Sequence, residues 1–202
     1  MLEIATYSTD QIIPLVPLLE KWFARDYIHY PFLWVPSPEE LCTDLFIKEK
    51  NALVALCRKQ GEVIGAAACI ALDSEHLEAY FEQPMREKAI ERGFDPSQIL
   101  YMSFFLTAPE YRNDPSVVSQ IFQACLDFGR ARGKTQVCYW RSLDKPNHPL
   151  KPEVPVVVEP WEHVICGFKS MNMQMDVPWK TLQPDGSVQM ENHAIGFFIK
   201  DV

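Results

Sequence analysis

Apolar and polar positions change their period several times along the chain, and each change marks an element. Leu2 to Tyr7 alternates weakly, as a strand does. Ile12, Ile13, Leu15, Val16, Leu18, Leu19, Trp22 and Phe23 then fall at helical spacing, with Thr9-Asp10 ahead of them as a cap. Pro14 suits a first turn, whereas Pro17 predicts a kink. Tyr27 to Trp34 is aromatic and irregular. Ser37-Pro38-Glu39-Glu40 starts a second helix, with proline at its first position, that runs to about Lys48.

Ala52 to Arg58 and Val63 to Leu72 read as strands, and Gln60-Gly61 between them is a hairpin signal. Ser74 to Gly93 is polar, rich in Glu and broken by Pro84, which predicts a helical insertion over about residues 74–98. Ile99 to Leu106 is a strand on which Tyr101, Ser103 and Phe105 should share one face. Ser116 to Arg132 is an amphipathic helix closed by Gly133. Gln136 to Trp140 is the next strand. A loop over about residues 144–160 follows, with five of the chain's 16 prolines. Trp161 to Ile165 allows a short helix ended by Gly167. Met171 to Val177 alternates fully, Asp185-Gly186 is a turn, and His193 to Lys200 returns as a strand. The order predicts an α/β (α+β) fold, a mixed sheet with helices on both faces, in one domain over residues 1–202.

Composition narrows the function. The chain has 202 residues, 48% hydrophobic and 23% charged, and a formal charge of −8. That balance argues against a nucleic-acid partner, because phosphate backbones select basic faces. No apolar run reaches the roughly 20 residues that span a bilayer, so no membrane is expected as a partner. The N-terminal MLEIATYSTD has an early Glu and no basic leader, unlike a secretory signal. The six cysteines, at 42, 57, 69, 125, 138 and 166, stand singly, mostly in apolar runs. Reduced, buried thiols and a cytoplasmic location are expected.

Four segments resemble the GNAT superfamily of acyl-CoA-dependent N-acyltransferases. An apolar strand leads into Leu106-Thr107-Ala108-Pro109-Glu110-Tyr111-Arg112, which is similar to the family's V-x-P-x-Y-R segment. The next helix ends Asp127-Phe128-Gly129-Arg130-Ala131-Arg132-Gly133, and Trp161 to Phe168 resembles the family's short helix ending in Gly-Phe. A long hairpin closes the chain. The resemblance implies a mostly antiparallel sheet of about seven strands. It also implies transfer of an acetyl or other acyl group from acetyl-CoA, or another acyl-CoA, to an amine of a small molecule or peptide. No metal is expected, and the closing hairpin can support a homodimer.

The resemblance places the pantetheine arm on the backbone of Leu106, Thr107 and Ala108. It places the diphosphate at the start of the next helix, on Arg112, Asn113, Ser116, Val117 and Val118. There the family carries glycines that let backbone approach phosphate; this chain has Pro115 and Val117. Asp114-Pro115 reads as a helix start in its own right, whose carboxylate would take up the phosphate's donors. The family's general acid, a Tyr, is replaced by His163, which can donate a hydrogen bond or act as a base. Ser103 could position a water, though such a serine is more often structural. Tyr30 and Trp34 sit where the family builds its acceptor pocket. His163 and Cys166, three apart, also raise a Cys-His nucleophile or metal pair, for which no third ligand has convincing spacing. Two readings follow: an N-acyltransferase, or a catalytically inactive binding or regulatory protein on the same fold.

Overall fold

The computed structural model of the protein describes residues 1–26, 52–73, 83–111, 114–143 and 165–202. The expected helix at 37–48, the aromatic stretch 27–34, the proline-rich loop and most of the short helix at 161–165 lie outside those residues.

The chain opens with β1 (Leu2–Tyr7). Helix α1 (Thr9–Ile12) follows, capped by Ser8, one residue earlier than the Thr9-Asp10 start suggested by the sequence. The Gln11 side-chain oxygen accepts from the Ser8 N–H at 3.0 Å. The prolines do break the helix. Ile13–Leu15 tightens to a 3-10 turn around Pro14, and α2 (Val16–Asp26) restarts with Pro17 in its first turn, where a missing N–H costs nothing. β2 (Ala52–Lys59) and β3 (Glu62–Ala71) form the expected hairpin, with Gln60 and Gly61 at φ 55° and 84°. Two successive positive φ angles are what a tight hairpin turn requires.

Helix α3 (Gln83–Glu91) occupies part of the predicted insertion. Arg92, just past its end, donates to the carbonyls of Met171 at 2.5 Å and Asn172 at 2.8 Å. β4 (Ile99–Thr107) leads through a 3-10 turn, Pro109–Tyr111, into α4 (Pro115–Arg130). α4 closes as a Schellman motif: Gly133 donates to Arg130 and Lys134 to Gly129, with Gly133 at φ 70°. β5 (Gln136–Ser142), β6 (Lys169–Leu182) and β7 (Val188–Asp201) complete the sheet.

Among the described residues, seven strands lie in the order β1-β2-β3-β4-β5-β7-β6. Neighbours are antiparallel except β4 and β5. On one face, Val117, Val118, Ile121, Phe122 and Cys125 of α4 pack on Ala55, Cys57, Ala67 and Cys69. On the other, Ile12, Leu19 and Trp22 cover Val54, Leu56, Ala66, Ala68 and Leu106. Ala89 and Phe94 continue that cover over Ile70, Leu72, Ile99 and Tyr101. Cys57, Cys69, Cys125, Cys138 and Cys166 are buried and in no disulfide, as the apolar runs around most of the cysteines predicted.

Candidate active site

The site begins with a fault in β4. Ala68 faces Phe104, but the next residue of β3, Cys69, faces Met102. Ser103 is the extra residue of a β-bulge, and its hydroxyl donates to the Ala68 carbonyl at 3.3 Å. The bulge reverses the facing of everything beyond it. Leu100 and Met102 pack under α4 before it, whereas Phe105 does so after it, and Tyr101 lies on the opposite face. Tyr101, Ser103 and Phe105 therefore do not share a face, because the period-two rule that predicted it fails across an inserted residue.

The same place is where β4 and β5 part. They pair at Ile99↔Gln136, Leu100↔Val137 and Tyr101↔Cys138. Among the described residues the pairing stops there. β4 runs on against β3 as far as Thr107↔Gly65, and β5 runs on against β7 as far as Ser142↔Ile195. The space between these two strand ends is the candidate cleft. Ala108 donates to the Ile64 carbonyl at 2.8 Å, so hydrogen-bonded pairing with β3 falls on Ala108, Leu106 and Phe104. By alternation, the peptide groups of Thr107 and Phe105 face the β5 side.

At the cleft's open end stands the start of α4. Pro115 has no N–H. The Asp114 carboxylate accepts from the Ser116 N–H at 2.9 Å and from the Val117 N–H at 3.4 Å. Val118 donates to the Asp114 carbonyl at 3.0 Å. Each first-turn position thus either lacks a donor or has spent it within the chain. Below, the buried Cys57 thiol is pushed up to about 11, first by burial and then by the Asp114 charge, which places the end of β2 within electrostatic reach of the cap. Beside the turn, the Lys59 ammonium lies 5.0 Å from the centre of the Tyr111 ring.

No protein-family model matches the sequence, and no curated protein matches it. Solved structures do. A probable acetyltransferase from Staphylococcus epidermidis is 10% identical, superposes with a TM-score of 0.57, and is covered over 99% of its length by 100% of this chain. An acetyltransferase of the GNAT family from Streptococcus pneumoniae is 11% identical with a TM-score of 0.54, covered end to end in both chains. A polyamine N-acetyltransferase from Drosophila melanogaster gives 11% and 0.54, again with both chains fully covered. The chain has the GNAT fold.

Within this GNAT fold, Leu106, Thr107 and Ala108 stand at the lip of the cleft, all buried. Their contributions differ: the Ala108 amide is held by β3, and Thr107, with Phe105, turns its peptide towards β5. Phe105 was missed from the sequence because nothing in its alternation announces the bulge. Ser116, Val117 and Val118 stand at the helix start, but their amides serve Asp114. Val117 does not obstruct a ligand by bulk, since its side chain is buried beneath α4. Arg112, Asn113, His163, Tyr30 and Trp34 lie outside the described residues. Cys166 is buried, next to Gly167 at φ 74°. Phe168 anchors the Gly-Phe turn, its ring 4.7 Å from Tyr139 and 5.4 Å from Phe122. Among the described residues no three His, Cys, Asp or Glu converge as a metal site, and no helix is long and apolar enough to cross a membrane.

Proposed function

We propose that this chain is an N-acyltransferase that moves an acyl group from an acyl thioester, of the acyl-CoA class, directly to an amine of a small molecule or peptide. One observation carries the reading: β4 and β5 part after Tyr101↔Cys138 while each keeps its outer neighbour. Where a parallel pair parts, strand edges that would bond each other turn towards the gap. The amide-rich arm of pantetheine can pair there as a strand would.

In the reaction, the neutral amine nitrogen attacks the thioester carbonyl carbon. The C–N bond forms, the C–S bond breaks, the amine gives up a proton, and the leaving sulfur gains one. The carbonyl oxygen gathers negative charge on the way, and a fixed peptide N–H at the splayed end of β4 is suited to receive it. His163 is the candidate for moving the proton at the leaving sulfur or the amine. Ser103 is assigned a positioning role: its hydroxyl holds the bulge against Ala68.

The test is a panel of primary amines, including peptide N-termini and a polyamine, incubated with acetyl-CoA and with S-acetylpantetheine. Thiol release and N-acetyl product are followed by mass spectrometry. One amine acetylated with matching thiol release is expected, and His163→Ala should slow it by about 100-fold, the low end for loss of a general acid or base. A fully active His163→Ala chain removes that residue from the mechanism. No binding of either thioester, seen by calorimetry at millimolar ligand, overturns the reading.

A further inference from the structure

The resemblance to GNAT enzymes implies a diphosphate at the start of α4, and the described residues there, Asp114 to Val118, do not fit one. Four donors are normally open at a helix N-terminus. Here the Asp114 N–H donates to the Tyr111 carbonyl at 3.1 Å, Pro115 has no N–H, and Ser116 and Val117 donate to the Asp114 carboxylate at 2.9 and 3.4 Å. The cap is also of the wrong sign. A diphosphate approaching this turn meets a carboxylate where the helix dipole would otherwise attract it. The β4 edge at Thr107, which the ladder with β3 leaves facing β5, is neutral peptide and carries no such charge.

Resting on the acyltransferase reading, we infer that Asp114 is a specificity-determining residue. It removes the diphosphate from donor recognition and leaves the thioester to be held by its pantetheine arm. The donor class is then an acyl-pantetheine thioester whose nucleotide half adds little. This inverts the usual division of labour between arm and phosphates, and it follows from one aspartate acting as the helix's own anion.

Calorimetric titration with acetyl-CoA and with S-acetylpantetheine, which carries no phosphate, tests it. The natural chain should bind the two within about threefold of each other. Asp114→Gly opens the Ser116 and Val117 donors with little loss of cap stability. It should tighten acetyl-CoA roughly tenfold, the scale of one charged contact, and leave S-acetylpantetheine unchanged. Asp114→Asn keeps the cap and drops the charge, and should fall between. A natural chain that prefers acetyl-CoA by tenfold or more overturns the inference and leaves the acyltransferase reading standing. So does an Asp114→Gly chain, folded by circular dichroism, whose ratio of affinities is unmoved. Failure of every chain to bind either thioester sinks the acyltransferase reading and this inference with it.

Discussion

Asp114 does two jobs with one carboxylate, and they can be separated by stability. As a cap it satisfies Ser116 and Val117, which otherwise have no acceptor in the first turn. Asp114→Ala should lower the unfolding free energy by about 1 kcal/mol, within the usual range for a lost N-cap. Asp114→Asn should cost little, since its amide oxygen accepts the same bonds. Urea titrations of both chains read the difference directly, and an Asp114→Ala chain as stable as the natural one would show that the cap is not formed in solution. This role was legible in the sequence, because Asp-Pro before an apolar periodic run is a helix start whatever the fold. The residue's neighbours Leu106, Thr107 and Ala108 were legible only as a group. Which of their amides serves the cleft depends on the phase of a ladder that begins with Ala108 bonded to Ile64, and phase is not written in residue type.

At the scale of elements, α4 lies on the sheet unusually closely at one point. A Cβ added to Gly65 of β3 would come within 2.6 Å of the Ile121 Cδ1 and 3.3 Å of the Thr107 Cγ2. Ile121 is fully buried, so its methyl has little room to turn away. Gly65→Ala should destabilise by about 1 to 2 kcal/mol through overpacking. Adding Ile121→Val, which removes the clashing methyl, should return part of that loss, giving a favourable coupling in a double-mutant cycle. Simple additivity of the two changes would show that α4 adjusts its position instead. Elements of this kind were easy to foresee where one face is wet, as in α4 and Met171 to Val177, and β3, buried on both faces, was legible as a continuous apolar run. The hairpin tips were harder. β6 and β7 each run 14 residues, well beyond the predicted 171–177 and 193–200, because Lys180, Gln189, Glu191 and Asn192 are exposed and lose the apolar signal. The bulge at Ser103 was invisible, since a serine in a strand says nothing about an inserted residue.

For the whole molecule, the order of elements was readable because each came with its own punctuation, and the sheet of the described residues, seven strands with one parallel neighbour pair among them, follows that order. The chemistry was not, because a cleft made by two diverging backbones leaves no side-chain signature, and His163, Tyr30 and Trp34 lie outside the described residues. What the interior does carry is a set of buried thiols in an acidic chain, and these set a pH limit. Burial raises the thiols of Cys57, Cys69 and Cys138 above their ordinary value, and Asp114 adds to the effect at Cys57, which reaches about 11 from 9.0. Between those two values the unfolded chain releases a proton that the folded chain keeps. The folded state therefore binds more protons, and stability must fall as pH rises from 9 towards 11, being intact below 9. Cys57 alone should account for a loss on the order of 1 to 2 kcal/mol across that window. Unfolding free energies of the natural chain and of Cys57→Ala, measured by urea at pH 8, 9, 10 and 11, isolate its share: the natural chain should lose stability more steeply. Parallel slopes would mean that the Cys57 thiol reaches solvent, and that the end of β2 does not pack beneath the Asp114 cap as closely as the cleft geometry requires.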